Sequence, residues 1–107
     1  MSAPATTTTA WQWPADVLDF AAKHDVAAYL DPLLQATQRL FPTARRLKVS
    51  VEADPEIRDD WHIVFDIEVP HQDVPDYVDT QHKWIRALCA ICPAPLMCTF
   101  RLLLVTV

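Results

Sequence analysis

LKVSVEADPEIRDDWHIVFDIEVP, residues 47–70, alternates apolar and polar side chains in two runs. In the first, Leu47, Val49, Val51 and Ala53 alternate with Lys48, Ser50 and Glu52; in the second, Trp61, Ile63, Phe65, Ile67 and Val69 alternate with His62, Asp66 and Glu68. A period of two belongs to strands with one buried and one wet face. The connection Asp54–Asp60 makes the pair an antiparallel hairpin with a longer loop.

Outward from the hairpin, proline marks the helix boundaries. Asp31-Pro32 reads as an N-cap followed by a first helical residue, and Leu33, Leu34, Thr37, Leu40 and Phe41 form one stripe that ends at Pro42. A shorter amphipathic helix, Ala15–His24, precedes it, and a chain break is expected at Pro32 because a continuous helix would bear roughly 3 kcal/mol there. After Pro70, Asp73 is the expected N-cap of a helix with Tyr77, Val78, Gln81, Trp84, Ile85, Leu88, Ile91 and Cys92 on one face, stopped by Pro93 and Pro95. The last nine residues, TFRLLLVTV, read as a third strand that is apolar on both faces.

With the helical segments before the hairpin taken together the order is αββαβ. This is an α+β fold of two layers, a three-stranded sheet with helices on one face. Residues 1–12 are expected to be a disordered lead and residues 13–107 one domain. Whether the third strand lies beside the first or the second is open. Trp61, Phe65, Ile67, Trp84, Leu88 and Leu102 are the expected core.

Composition excludes several functions. The 107 residues contain no glycine, which removes phosphate-cradling loops and dinucleotide fingerprints, and nine prolines. A net charge of −5 with nine scattered Lys and Arg argues against nucleic acid. No stretch approaches the ~20 apolar residues of a membrane span, and no secretory signal is evident, so a cytoplasmic protein with no membrane partner is expected. Three cysteines, with Cys89 and Cys92 in a CxxC at a helix carboxyl end, fit buried reduced thiols better than a metal or redox pair, since low-pKa thiols gather at helix amino termini.

Two surfaces could carry function. His62, Asp66 and Glu68 share the wet face of the second strand and could ligate a metal or do acid–base work in a small enzyme. Cross-strand ion pairing with Lys48 and Glu52 is the more ordinary use of such charges. The loop Asp54–Asp60, with Asp54 and Glu56 foremost, could recognise a basic partner, or could simply be a stiffened turn with Ile57 tucked beneath it. Leu103, Val105 and Val107 fall on the face where the other strands carry charge, and an apolar edge strand calls for a cover. The expectation is therefore a non-enzymatic interaction module that binds a protein partner or a second copy of itself, without metal or cofactor.

DPEI…DDWHIVFDIEVP, a helix ending in LFP, and a helix closing on CPAP before FRLLL together resemble small bacterial αββαβ proteins, some of which accompany toxin genes. The resemblance spans about residues 15–107 and carries no catalytic motif. It implies an interaction role, antitoxin-like among others, and assigns no site residue.

Overall fold

In the computed structural model, which describes residues 11–107, the two alternating runs form β1 (Arg46–Ala53) and β2 (Trp61–Val69). They pair antiparallel with Val49 opposite Phe65 and Ala53 opposite Trp61. The terminal run forms β3 (Phe100–Thr106), parallel to β2, with Ile63 opposite Phe100 and Phe65 opposite Leu102. The sheet order is β1-β2-β3, so the strand left open by the sequence lies beside β2 and the sheet is mixed.

Two helices precede the hairpin, α1 (Ala15–Lys23) and α2 (Ala27–Leu40). The crossover from β2 to β3 holds α3 (Tyr77–Ile91) and a short α4 (Ala94–Met97). Every helix packs on one face of the sheet. The core joins Val17 and Ala21 of α1, Leu30 and Leu33 of α2, and Trp84, Leu88 and Cys92 of α3 to Val49, Ile63, Phe65, Ile67, Phe100 and Leu104 of the strands. Residues 1–10 of the expected lead lie outside the described residues. Trp11 and Trp13 pack against the core, Trp13 edge-on to Phe65 at 6.4 Å.

The break expected at Pro32 is absent, because α2 runs through it. Burial outweighs the proline's cost. Leu30, Leu33, Leu34 and Thr37 form one buried stripe that only a continuous helix can align, and the Ala28 carbonyl that loses its donor belongs to an exposed residue. Asp31 is not a cap but accepts a 2.8 Å hydrogen bond from Trp13 Nε1. Likewise Asp76, not Asp73, caps α3, accepting from the Asp79 N–H, while His71–Asp73 forms a 3₁₀ turn. A polar relay in the helix interface is satisfied: Trp84 Nε1 donates to Thr37 Oγ1 at 2.9 Å and Thr37 donates to the Leu33 carbonyl at 2.7 Å.

Two expected core residues sit elsewhere. Trp61, at the start of β2, borders the cleft at the end of the sheet beside Phe20 of α1 and is 51% exposed, and Leu102 on the outer strand is half-buried. In a chain without glycine, Asp25 at φ 59° and Asp59 at φ 60° take left-handed backbone positions among the described residues. Aspartate is among the few side chains that enter this region at modest cost.

Candidate functional site

His62, Asp66 and Glu68 do not converge. They lie four and six residues apart on an extended strand, which rises about 3.3 Å per residue, so His62 and Asp66 stand roughly 13 Å apart. Asp66 and Glu68 are engaged by Arg46, at 3.0 and 3.8 Å, in the cross-strand pairing that a wet sheet face favours.

His62 turns instead toward the loop. Asp54 Oδ1 accepts from the backbone N–H groups of Glu56 (2.8 Å) and Ile57 (3.0 Å). Those two donors, Glu56 first, with smaller help from the Arg101 and His62 charges, hold the Asp54 carboxyl below the usual carboxylate range. The Asp54 N–H donates to the Asp60 carbonyl at 2.7 Å, continuing the ladder one pair beyond Ala53 and Trp61. With Asp59 in the left-handed conformation, the loop closes with both aspartates over the end of the sheet. Ile57 is not tucked beneath it but is 56% exposed.

The carboxylates meet His62 there. Its Nδ1 lies 3.1 Å from the Cys98 carbonyl oxygen, its Nε2 lies 3.2 Å from Asp60 Oδ2, and the ring is buried. The Nε2–Asp60 approach has the distance of an ion pair but not the alignment of a hydrogen bond, so Nε2 has no hydrogen-bond partner among the described residues. Arg101 reaches over from β3, 3.7 Å from Asp54 and 4.0 Å from Asp60. One donor atom each from Asp54, Asp60 and His62 fall within 4.8 Å of one another. Asp60 and His62 also line a small cleft of about 230 Å³ with Phe20, His24, Trp61 and Cys98.

The second candidate surface is on β3. Leu103 and Val107 are exposed and Val105 half-buried, on the outer face, beside Asp66 and Glu68 in register. Parallel pairing directs the backbone groups of alternate residues to one neighbour. Ile63 donates to the Thr99 carbonyl and Val107 donates to that of Val69, so the odd-numbered residues of β3 serve β2. Phe100, Leu102, Leu104 and Thr106 therefore aim their N–H and C=O groups away from the sheet. Of these, the Leu104 carbonyl accepts from Tyr77 Oη at 2.9 Å. Next to this edge, between α3 and β3, lies a groove of about 500 Å³ lined chiefly by Trp84, Ile85, Leu88, Met97, Phe100 and Leu102.

The cysteines correct an expectation. Cys92 is buried, which together with the nearby Cys98 pushes its thiol above the ordinary value, but Cys89 and Cys98 are exposed. Among the described residues no helix is long and apolar enough to cross a membrane. The chain matches no family model, no curated protein and no solved structure among those compared with it.

Proposed function

We propose that the chain is a self-associating interaction module whose working surface is the outer edge of β3, and that the occupant of that edge is β3 of a second copy. The observation that carries this reading is the row of outward-facing backbone groups on Phe100, Leu102 and Leu104 beside an apolar groove. An open strand next to a helix-walled groove suits strand addition, in which main-chain hydrogen bonds supply affinity and the groove receives side chains.

A second copy suits this edge for three reasons. β3 is apolar along its length, with Arg101 its sole charge, so an antiparallel partner strand brings no like charges face to face. Two-fold pairing would extend the sheet to six strands with both α3 helices on the same face. Tyr77, Val78 and Ile85, exposed along α3, would then flank the seam.

Sedimentation of the full chain tests the reading. The wild type is expected to be a dimer. Leu102→Pro removes an outward N–H without touching the ladder to β2 and should give a folded monomer. Leu103→Lys with Val105→Lys should do the same, the new lysines facing Asp66 and Glu68 within the monomer while opposing edge pairing. A wild type that stays monomeric at about 100 μM, where even weak specific pairs assemble, would overturn self-association. Strand addition by an apolar extended peptide to such a monomer would assign the edge to a different partner.

A further inference from the structure

We propose that Asp54, Asp60 and His62 form a binding site for one divalent transition-metal ion of the kind that accepts imidazole and carboxylate together, with zinc as the probe. A cluster of acidic residues alone would not carry this. His62 does, because the residue is 6% exposed and the nitrogen facing the carboxylates has no hydrogen-bond partner among the described residues.

The Cys98 carbonyl can only accept, so at neutral charge it fixes the His62 proton on Nδ1 and leaves the Nε2 lone pair turned toward Asp60. A lone pair 3.2 Å from an acceptor-only carboxylate oxygen is an unfavourable contact that a proton on Nε2 or a bound cation relieves. A backbone carbonyl that orients the ring through its second nitrogen is also the usual support of a histidine ligand. Asp54 is supported in the same way: its Oδ1 is held by two backbone N–H groups, which leaves Oδ2 as the free ligand atom. The three donors come from the end of β1, the loop and the start of β2, and the cleft beside Asp60 and His62 gives an ion a route in.

One imidazole and two carboxylates favour zinc or manganese over magnesium, which prefers oxygen donors and retains its waters. Two carboxylates neutralise a divalent ion. Arg101 is the cation already facing both aspartates, yet at 3.7 and 4.0 Å it hydrogen-bonds neither, and its side chain is 51% exposed. It can swing away, and it competes with the metal. Cys98 and Arg101 also line the groove beside β3, but Asp54, Asp60 and His62 do not, so the site does not depend on self-association.

The test is calorimetric titration of the tag-free full chain with Zn²⁺, Mn²⁺ and Mg²⁺, each alone, with metal content measured after dialysis. Zinc should bind at about one ion per chain, more tightly than manganese, with magnesium far weaker. Asp60→Asn and Asp54→Asn should each weaken zinc at least about tenfold. Arg101→Gln should tighten it several-fold, a gain that a merely structural role for these residues would not produce. Because His62→Ala removes a buried side chain that the fold packs around, the ring is followed in the wild type by nitrogen NMR, where zinc should shift Nε2 and leave Nδ1 protonated. Absence of saturable zinc binding up to about 1 mM would overturn the site. So would binding that is indifferent to both aspartate variants and is lost in Cys98→Ser.

Discussion

The two outer strands of the sheet are built differently. β1 carries Arg46, Lys48 and Glu52 along its exposed face and pairs Arg46 with Asp66 across to β2, so a stray strand approaching it would have to strip water from charges. β3 opposes that approach with one arginine at its beginning and presents leucine and valine thereafter. Both strands have one neighbour and both lean on the same middle strand. The difference between a defended edge and an undefended one therefore lies in the side chains, and it is why β3 is the edge proposed to be covered.

Removing what both edges share should produce the largest effect. Phe65, fully buried on β2, touches the rings of Trp13, Trp84 and Phe100, and Phe65→Ala should cost about 3–5 kcal/mol in denaturant unfolding. A loss under about 1 kcal/mol would mean that the helical layer does not rest on the sheet as described.

Next comes an exchange of edge character. Lys48→Val with Glu52→Val should leave unfolding nearly unchanged but make β1 adhesive, so that dimers link onward into open-ended, turbid assemblies. Combining these changes with Leu102→Pro should restore discrete particles. Turbidity that persists in the combined variant would show that β3 contributes nothing to association.

Smaller in size is a protection effect. Cys98 lines the groove beside β3, whereas Cys89 lies on the exposed side of α3. If β3 pairs with β3 of a second copy, Cys98 should react with a thiol reagent about tenfold more slowly at high than at low concentration, Cys89 should be indifferent to concentration, and buried Cys92 should react only on unfolding. Equal rates for Cys98 at high and low concentration would place the seam elsewhere.

The smallest effect joins the two edges. Asp54, just past β1, faces Arg101 of β3 across the sheet. Its carboxyl is held below the ordinary range, so the stability it contributes is in full above the unfolded chain's value near 4 and is lost as pH falls through the lower folded value. Acid titration of Asp54→Asn should accordingly show a shallower decline below about pH 4 than the wild type. Superimposed acid limbs would count against it.

How much of this the sequence disclosed depends on the range of the interactions involved. The faces of β1 and β2 follow from alternation alone, because successive side chains of a strand must point to opposite sides, and the same rule directs Leu103 and Val105 outward. The break expected at Pro32 does not form, because the local penalty is offset by the buried stripe from Leu30 to Thr37, which no local signal reveals. Strand order was beyond reach, since the pairing of Phe100 with Ile63 depends on where the crossover lands. His62, Asp66 and Glu68 share a face in the sequence pattern, yet an extended strand holds them too far apart. The signal that would have found its neighbours is the hairpin register: once Ala53 opposes Trp61, Asp54 must oppose Asp60, and His62 lies beside that pair. The turn of the Asp54 carboxylate and the left-handed Asp59 then bring the acids over the ring, and neither leaves a periodic trace.

The mixed sheet also sets an order of assembly. β1 meets β2 across a short loop, a local closure that a chain samples quickly, whereas β3 reaches β2 only after α3 and α4 have been laid down. Hairpin contacts should therefore be formed early, with transition-state φ-values high around Val49 and Ile63 and low around Leu102 and Leu104. Until β3 arrives, the central strand of the finished sheet is itself an open edge. The vacancy can be filled by β3 of the same chain or of a neighbour, and at high concentration during refolding the exchanged form becomes a kinetic competitor of the native one.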